Sequence, residues 1–370
     1  MVKLTKYEVT QMRIKRIEKE IRDTPYHKGT EHHIGRLRAR LSKLKDDLET
    51  PSGKKGGGGG YAVKKQGDAT VVLIGPPSSG KSTLLNKLTN AKSKVAPYEF
   101  TTLTVIPGMM EFKDAKIQIL DVPGLIEGAE EGKGRGREVL SVTRGTNLVV
   151  LITDVKRVNA IKRISETLER NGIRINQKPP DVLVEKKLSG GIVIHSNIKQ
   201  TLSKQTIKDI AQEMGIKNAE ITIKEKLTIE RLIDALSSNR VYIQSFILVN
   251  KIDLLNNQVL TKYYYNSSHQ NEIIFISAEK GMGIDEFKEK IWQKLEFVRV
   301  FLVRPDEEPN FNHAIIMKKG NTLYDVTLKI GEEFSEGKTR AKIWGVGSKF
   351  PGQEVSLSKE IQEGLQVRFI

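Results

Sequence analysis

The sequence predicts an α/β fold in which a β-sheet presents a phosphate-binding loop. The first observation is a β-branched run, Thr70–Ile74, of the kind that forms a buried strand. The second is the segment after it, Gly75–Ser82, whose sequence GPPSSGKS fits the pattern G-x-x-x-x-G-K-[ST]. The third is the stretch Ser82–Asn90, which carries leucines at helical spacing. In such a strand, loop and helix, backbone amides converge on an anion, so the loop can hold a triphosphate.

Each residue type in this loop has a predicted role. Gly75 and Gly80 let the backbone wrap closely around phosphate, and Lys81 reaches oxygens of the β- and γ-phosphates. The Ser82 hydroxyl is a predicted Mg²⁺ ligand. The other positions predicted to contact the nucleotide are Pro76, Pro77, Ser78, Ser79 and Thr83.

Length and amino-acid composition limit the number of domains and the class of protein that the chain can form. Its 370 residues, 38% of them hydrophobic, are enough for roughly two to four packed domains. No apolar run approaches the ~20 residues of a membrane span, and the N-terminus lacks an apolar signal core. We therefore predict a cytoplasmic protein with no membrane partner. The absence of cysteine excludes disulfides and thiolate zinc sites.

Positive charge is concentrated near the N-terminus. The net charge is +16, and residues 1–66 carry seventeen Lys and Arg against eight Asp and Glu, a net +9. This asymmetry favours a docking surface for a polyanion, with RNA or ribosomes first, over a diffuse lysine-rich surface that aids solubility.

Residues 5–49 predict two helices that break at Thr24-Pro25 and pack as an antiparallel hairpin. Apolar stripes run along both helices: Ile14, Ile17 and Ile21, then Leu37, Leu41, Leu44 and Leu48. The second helix also carries five cations: Arg36, Arg38, Arg40, Lys43 and Lys45. These cations can grip phosphates or form an ordinary solvated face, and the sequence leaves both open. The hairpin (residues 1–52) is followed by a flexible Gly-rich linker (residues 53–66).

Candidate Mg²⁺ ligands follow the loop. Phe100, Thr101 and Thr102 precede a predicted strand at Leu103–Ile106, where a threonine hydroxyl can complete the Mg²⁺ shell. A second predicted strand, Lys116–Leu120, ends in Asp121, and a carboxylate at a strand end can hold Mg²⁺ through water.

The segment GLIEGAEEGKGRGRE begins at Gly124, whose amide can meet the γ-phosphate. Its density of glycine predicts no preformed helix. It favours a segment that the γ-phosphate orders and hydrolysis releases, over a passive long loop.

Two later motifs predict the base. The strand Gln244–Val249 leads into Asn250-Lys251-Ile252-Asp253, where a carboxylate can accept both N1–H and N2–H of guanine. Asn250 can meet the opposite edge of the base, and the Lys251 stem can pack on the ring. After the strand Ile273–Ile276, a backbone amide of Ser277-Ala278 can reach guanine O6.

The spacing of these motifs predicts an inserted domain. Asp121 and Asn250 are 129 residues apart, whereas the helices and strands needed between them take only ~55. The surplus falls at residues 172–240, where candidate strands and helices alternate: Asp181–Val184, Gly191–Ile194, Gln205–Met214, Ala219–Ile223 and Ile229–Leu236. We predict a P-loop GTPase domain in two parts, residues 67–171 and 241–296, interrupted by a small α+β domain.

Residues 297–370 predict a separate C-terminal module. The helix Ile284–Leu295 is followed by candidate strands and a helix whose start, Thr322–Asp325, is a capping box. The candidate strands are Phe297–Val303, His313–Met317, Arg340–Trp344 and Leu365–Phe369. This order suggests a β-grasp (ubiquitin-like) fold without catalytic residues, hence a binding module.

The order of these parts resembles the developmentally regulated GTP-binding (DRG) family within the Obg/HflX-like GTPases, and in particular an archaeal member. The likeness rests on GPPSSGKS, FTTL, DVPGLIEGA, NKID and SAEKG and covers almost the whole chain. It implies that the insertion resembles the second domain of ribosomal protein S5 and that the C-terminal module is a TGS domain. It also implies association with ribosomes and translation, with GTP or GDP and Mg²⁺ as ligands.

The resemblance also assigns roles. Thr102 is the implied Mg²⁺ threonine, with Thr101 the runner-up, and Lys81, Thr102 and Gly124 form the implied catalytic set. Leu125 stands where Ras-like enzymes place the glutamine that orients water, which implies the hydrophobic-substituted class and slow intrinsic hydrolysis. Orientation of the attacking water must then come from a partner, from a cation, or from a residue of the flexible segment: Glu127, Arg135 or Arg137. Ser78 replaces the asparagine of potassium-activated relatives and leaves K⁺ activation open.

The functional hypothesis is a slow GTPase that switches its contact with the ribosome or ribosomal RNA, through the basic hairpin and the TGS domain, with a regulatory protein as a further candidate partner. The alternative is an RNA- or ribosome-binding scaffold in which GTP is mainly structural. Sequence-specific DNA binding is disfavoured, since neither a third helix nor a readable recognition face is evident.

Overall fold

The computed structural model describes residues 6–49, 66–89, 96–97, 104–122, 135–255 and 273–370. The chain divides into two compact units. Unit 1 comprises Met1–Gly60 and Thr167–Tyr242, and unit 2 comprises Tyr61–Glu166 and Ile243–Ile370. Within the described ranges, no helix is both long and apolar enough to span a membrane.

The helices are α1 (Lys6–Asp23), α2 (Glu31–Glu49), α3 (Lys81–Leu88), α4 (Arg135–Arg144), α5 (Ala160–Arg170), α6 (Lys204–Glu213), α7 (Ile229–Leu236), α8 (Ile284–Lys294), α9 (Leu323–Ile330) and α10 (Glu332–Ser335). The first eight strands are β1 (Ala69–Ile74), β2 (Ala96–Pro97), β3 (Thr104–Phe112), β4 (Ala115–Asp121), β5 (Leu148–Asp154), β6 (Ile173–Ile175), β7 (Val182–Lys186) and β8 (Ile192–Ser196). The later strands are β9 (Ala219–Ile223), β10 (Val241–Asn250), β11 (Ile273–Phe275), β12 (Phe297–Leu302), β13 (Ala314–Lys318), β14 (Arg340–Trp344), β15 (Gln353–Ser356) and β16 (Leu365–Phe369).

A predominantly parallel sheet forms the centre of unit 2. Seven of its strands lie in the order β11-β10-β5-β1-β4-β3-β2, and among these seven only β3 and β2 are antiparallel to their neighbours. Strand β1 is buried along its whole length, as a near-continuous apolar run predicts for a parallel strand covered on both faces. The carboxyl ends of β1, β4, β5 and β10 meet at one edge of the sheet, and the loop between β1 and α3 lies there.

Strand β3 is longer than the predicted Leu103–Ile106 and continues through Pro107 and Gly108 to Phe112. A Pro-Gly pair usually ends a strand, but a proline is tolerated where the outer side of the strand is unpaired. The close approach of α3 gives Gly108 a packing role, since a Cβ at this position would lie 2.7 Å from Leu85 Cδ1.

The last part of unit 2 is a second, mixed sheet in the order β13-β12-β16-β14-β15, with α9 beside it. The predicted capping box is confirmed: Thr322 N donates to Asp325 Oδ2 at 2.7 Å and Asp325 N donates to Thr322 Oγ1 at 3.4 Å. Strands β14 and β16 have the predicted bounds. Strand β15 was not predicted, because its sequence QEVS is a half-exposed edge with only one apolar residue.

Unit 1 combines the N-terminal helices with the three-stranded sheet β7-β9-β8 and the helices α6 and α7. The two predicted hairpin helices are confirmed as α1 and α2. Strand β9 and helix α7 have the predicted bounds, and β7, β8 and α6 lie within two residues of theirs, whereas the short strand β6 was not predicted. The domain boundaries predicted from the sequence stay predictions.

Helix α2 packs directly against α6 in unit 1. Ala39 lies in the same apolar cluster as Ile207 and Ile210, and a Cβ at Gly35 would come within 3.0 Å of Ile210 Cδ1. The small residues of α2 thus allow the two helix backbones to approach each other.

Ion pairs reinforce this contact. Arg36 and Arg40 of α2 both donate to Glu213 of α6, with Nη2–Oε1 distances of 3.2 and 2.8 Å. Arg38 pairs with Glu230, and Lys45 pairs with Glu18 of α1 at 2.9 Å. Four of the five cations predicted either to grip phosphates or to form a solvated face instead pair with carboxylates of unit 1.

Candidate functional site

The loop between β1 and α3 requires glycine at two positions. A Cβ at Gly75 would lie 2.0 Å from the Ile152 carbonyl oxygen on the neighbouring strand β5. Gly80 has φ +89°, a left-handed conformation, and a Cβ there would lie 2.2 Å from Asn250 Nδ2. Since both clashes involve closely placed polar groups, the glycines allow this loop to pass against the ends of β5 and β10.

Lys81, the first residue of α3, is buried beneath the loop. Its Nζ donates to the carbonyl oxygens of Gly75 and Pro76 at 3.2 and 3.0 Å. Burial lowers the pKa of Lys81 below its ordinary value; the charge of Asp121 opposes this shift and that of Arg157 adds to it. A phosphate anion would favour the charged ammonium more strongly than neutral carbonyls do.

Ser82 and Asp121 bring hydroxyl and carboxylate oxygens together at the start of α3. The Ser82 hydroxyl donates to Asp121 Oδ2 at 2.6 Å, whereas Asp121 Oδ1 is buried and has no hydrogen-bond partner among the residues that the structure describes. A hydroxyl and a carboxylate with one unused oxygen are the hard ligands that Mg²⁺ prefers. The residues present therefore fit Mg²⁺, with Ser82 and Asp121 as its holders.

Asn250 connects the end of β10 to the phosphate loop. Its Nδ2 donates to the Ser79 carbonyl oxygen at 2.9 Å, and its Oδ1 accepts from the amides of Lys251 and Ala278 at 2.8 and 3.0 Å. Lys251 Nζ donates to the carbonyl oxygen of Ser78 at 2.7 Å. These bonds hold the two predicted base-recognition segments against the loop.

Asp253 and Ser277 differ in exposure. Asp253 lies in a short 3₁₀ turn, Ile252–Leu254, is exposed, and has no hydrogen-bond or ion-pair partner in the described parts of the chain. Its carboxylate is thus available to a ligand. Ser277 is fully buried, and its Oγ accepts from the Lys280 amide at 3.1 Å, which shapes the turn that carries the Ala278 amide.

Asp154 and Arg157 are site residues that sequence reasoning missed. Asp154 ends β5 directly beside Asn250, and its Oδ2 accepts from Arg157 Nε and Nη2 at 3.0 and 2.6 Å. Burial would raise the pKa of Asp154, but hydrogen bonds from Arg157 and the Lys156 amide, and the charges of Arg157 and Lys251, hold it below its ordinary value. The available signal was a carboxylate at a strand end, the same signal that drew attention to Asp121.

The described residues therefore bring together the loop from Gly75 to Thr83 with Asp121, Asn250, Lys251, Ser277 and Ala278. Phe100, Thr101, Thr102, Gly124, Leu125 and Glu127 lie outside the described residues, as do the side chains of Arg135 and Arg137. Helix α4 begins at Arg135 and continues past Gly136, so the prediction of no preformed helix is wrong for the end of the Gly-rich segment. The prediction rested on the density of glycine, and that density ends here, because no glycine occurs between Gly136 and Gly145.

A sheet in the order β3-β4-β1-β5-β10-β11, the sequence GPPSSGKS in the loop before α3, and a strand that ends in NKID beside this loop define a P-loop GTPase domain. Family models match accordingly: a 50S ribosome-binding GTPase model over residues 70–187, and a model of the C-terminal region of that domain over residues 189–297.

Relatives extend this likeness to the whole chain. An uncharacterized GTP-binding protein of Methanocaldococcus jannaschii is 46% identical over 354 residues, 95% of this chain and 90% of the relative. Developmentally-regulated GTP-binding protein 1 of Xenopus laevis is 40% identical, covering 96% of this chain and 97% of the relative. The developmentally-regulated GTP-binding protein 2 homolog of Dictyostelium discoideum is 39% identical, covering 95% of this chain and 96% of the relative. The chain belongs to the developmentally regulated GTP-binding protein family.

Proposed function

We propose that this protein slowly hydrolyses GTP to GDP and phosphate, and that it acts as a nucleotide-dependent switch in translation control at the ribosome or on RNA. One observation carries the hydrolytic part: the Ser82 hydroxyl, the buried Lys81 ammonium and Asp121 Oδ1, which has no partner within the described ranges, lie together at the carboxyl edge of the sheet. This donor set suits a triphosphate with its Mg²⁺.

Different residues would bind the Mg²⁺, the phosphates and the guanine base. Bound Mg²⁺ supplies charge neutralisation on the phosphate oxygens. Ser82 and Thr102 would hold it directly and Asp121 through water. Lys81 exchanges its carbonyl acceptors for phosphate oxygens and stabilises the negative charge that develops during phosphoryl transfer. The Gly124 amide would donate to the γ-phosphate, and Asp253 would select guanine.

A low intrinsic rate follows from Leu125, whose side chain cannot orient the attacking water. Assistance would come from Glu127, Arg135 or Arg137, from a regulatory protein, or from K⁺ near the exposed Ser78. Hydrolysis rates in KCl and NaCl at equal ionic strength test the cation: faster turnover in KCl supports it, and equal rates contradict it.

The hydrolytic proposal is tested with Lys81→Ala, in single-turnover assays with GTP and Mg²⁺. Lys87→Ala is the matched control, because Lys87 lies on the same helix but is exposed. We expect the rate to fall by ~10²-fold or more in Lys81→Ala and to be unchanged in the control. Equal turnover by all three proteins would contradict enzymatic hydrolysis at this site.

The surface that we propose for polyanion binding lies on α1 rather than on α2. Since four of the five α2 cations pair within unit 1, most of the unpaired positive charge in the described part of the hairpin is on the exposed face of α1. Five cations there are exposed and have no acidic partner among the described residues: Arg13, Lys15, Arg16, Lys19 and Arg22. We propose that this face, supported by the S5-like insertion, contacts ribosomal RNA, and that the TGS-like residues 297–370 provide a separate contact.

Co-sedimentation with ribosomes, with GDP and with a non-hydrolysable GTP analogue at two salt concentrations, tests this surface. Lys15→Glu with Lys19→Glu should weaken binding and flatten its salt dependence, because phosphate contacts release counterions. The control Lys217→Glu reverses an exposed charge elsewhere in unit 1. Equal affinity with GDP and the GTP analogue would instead support the scaffold in which GTP is mainly structural.

A further inference from the structure

Strand β8 in unit 1 has a free edge. It pairs with β9 on one side, and no described strand pairs with its other side. The Ala219 amide donates to the Gly191 carbonyl oxygen, which fixes the alternation of the ladder. Residues 191, 193 and 195 therefore direct their backbone groups toward β9, and residues 192, 194 and 196 direct theirs outward. A strand of this kind can accept another strand.

A cleft of about 700 Å³ lies beside this free edge. Its floor is aliphatic and comes from Ile194 of β8, Ile207 of α6, Leu202 of the intervening loop and Ile223 of β9. This floor is on the helix-covered face of the sheet. Since side chains alternate across a strand, a segment added to β8 would direct every second side chain into the cleft.

Three lysines surround the cleft: Lys199, Lys204 and Lys224. All three are exposed, and none forms an ion pair with a carboxylate in the parts of the chain that the structure describes. This differs from α2, where arginines of the same unit are matched by glutamates. The charge around the cleft therefore lacks an internal partner.

We infer that the β8 edge and its cleft bind an extended acidic peptide segment of a partner protein by strand addition. Outward amides and carbonyls of β8 would pair with the peptide backbone, apolar side chains would enter the cleft, and peptide carboxylates would pair with the lysines. RNA is disfavoured, because no Phe, Tyr or Trp lines the cleft to stack a base. This inference is independent of nucleotide hydrolysis.

The experiment uses the full-length protein and a panel of fluorescein-labelled peptides of about ten residues, long enough to pair with the whole of β8. The panel alternates glutamate with valine, isoleucine or leucine. A matched panel replaces glutamate with lysine, and oligouridine is the nucleic-acid probe. We expect the acidic panel alone to bind in fluorescence anisotropy. Absence of binding by every acidic peptide, equal binding by the lysine panel, or preferential binding of oligouridine would overturn the inference.

Amide hydrogen exchange gives a readout at the strand itself. With acidic peptide, exchange at Ile194 should slow, whereas Val193, whose amide already bonds to β9, should change little. Slowing at Ile194 that depends on protein concentration without peptide would overturn the inference in favour of pairing between two copies of the chain.

Charge variants complete the test. Lys199→Glu with Lys224→Glu should weaken peptide binding by about tenfold or more, because both attractive charges become repulsive. The control Lys217→Glu, on the same unit but outside the cleft, should bind peptide like the natural protein. GTP affinity should be unchanged in all variants. Peptide binding that is unaffected by the double reversal would contradict the role of the lysines.

Discussion

The side-chain amide of Asn250 donates a hydrogen bond to the Ser79 carbonyl oxygen at 2.9 Å, so the end of β10 is tied directly to the phosphate loop. The same side chain accepts from Lys251 and Ala278. One asparagine therefore joins three segments that are far apart in the sequence.

Asn250→Ala should destabilise unit 2 by about 2–4 kcal/mol, because it leaves buried backbone groups without partners. Urea unfolding followed by the fluorescence of Trp292, which is buried in unit 2, measures this loss. Asn312→Ala removes an exposed amide from the same unit and should have little effect. Equal stability of the two variants would refute the connecting role of Asn250.

Gly80→Ala should reduce GDP affinity by ~10-fold or more. The added Cβ would lie only 2.2 Å from Asn250 Nδ2, so the Asn250 side-chain amide would be displaced. Gly320→Ala is the matched control. Gly320 has a similar φ, +87°, but nothing lies within 4 Å of its added Cβ. The control should lose about 1–2 kcal/mol of stability from backbone strain while keeping its affinity. Calorimetric titration with GDP distinguishes the two; the steric argument fails if both variants bind alike.

Asp253→Asn should weaken GTP binding by ~100-fold and increase binding of xanthosine triphosphate, because the acceptor pair becomes one acceptor and one donor. Asp253 is exposed and unpartnered within the described residues, so the fold should not change. Asp285→Asn removes the same charge from a fully exposed position and serves as the control. Competition binding with both nucleotides is the measurement, and an intact GTP preference would contradict the base assignment.

Glu213→Gln should destabilise unit 1 by about 1 kcal/mol near neutral pH, a modest value because both arginines are half exposed. Burial opposes ionisation of Glu213, but hydrogen bonds from Arg40 and Arg36 keep its pKa below the ordinary value. A lowered pKa stabilises the folded state above the unfolded value of ~4.3, and this contribution disappears as pH falls through the folded value.

The natural protein and Glu213→Gln should therefore differ in urea unfolding at neutral pH and converge in acid. Amide hydrogen exchange in α2 and α6, measured as a function of urea concentration, follows unit 1. Asp47→Asn, on the exposed side of α2, is the control and should match the natural protein throughout. A difference that persists unchanged into acid would exclude ionisation of Glu213 as its cause.

The sequence was most informative where a motif is local. The pattern GPPSSGKS predicted a strand, a loop and a helix, and the structure has β1, the loop and α3 there, because glycine placement and apolar runs act over a few residues. Asp121 and Asn250 could be placed at strand ends for the same reason. Asp154 was missed, since no motif surrounds it and its position beside Asn250 depends on which strands become neighbours.

Thus the amino-acid sequence by itself determined the nucleotide class, the family and the longer strands and helices in order, since these depend on short-range patterns. Tertiary structure alone decided which charges are matched. Arg36 and Arg40 form ion pairs with Glu213, which is more than 170 residues away in the sequence. By contrast, the five exposed cations of α1 and the three lysines around the β8 cleft form no ion pair with a carboxylate among the described residues. Ion pairing depends on distance in space, which no spacing along the chain reveals.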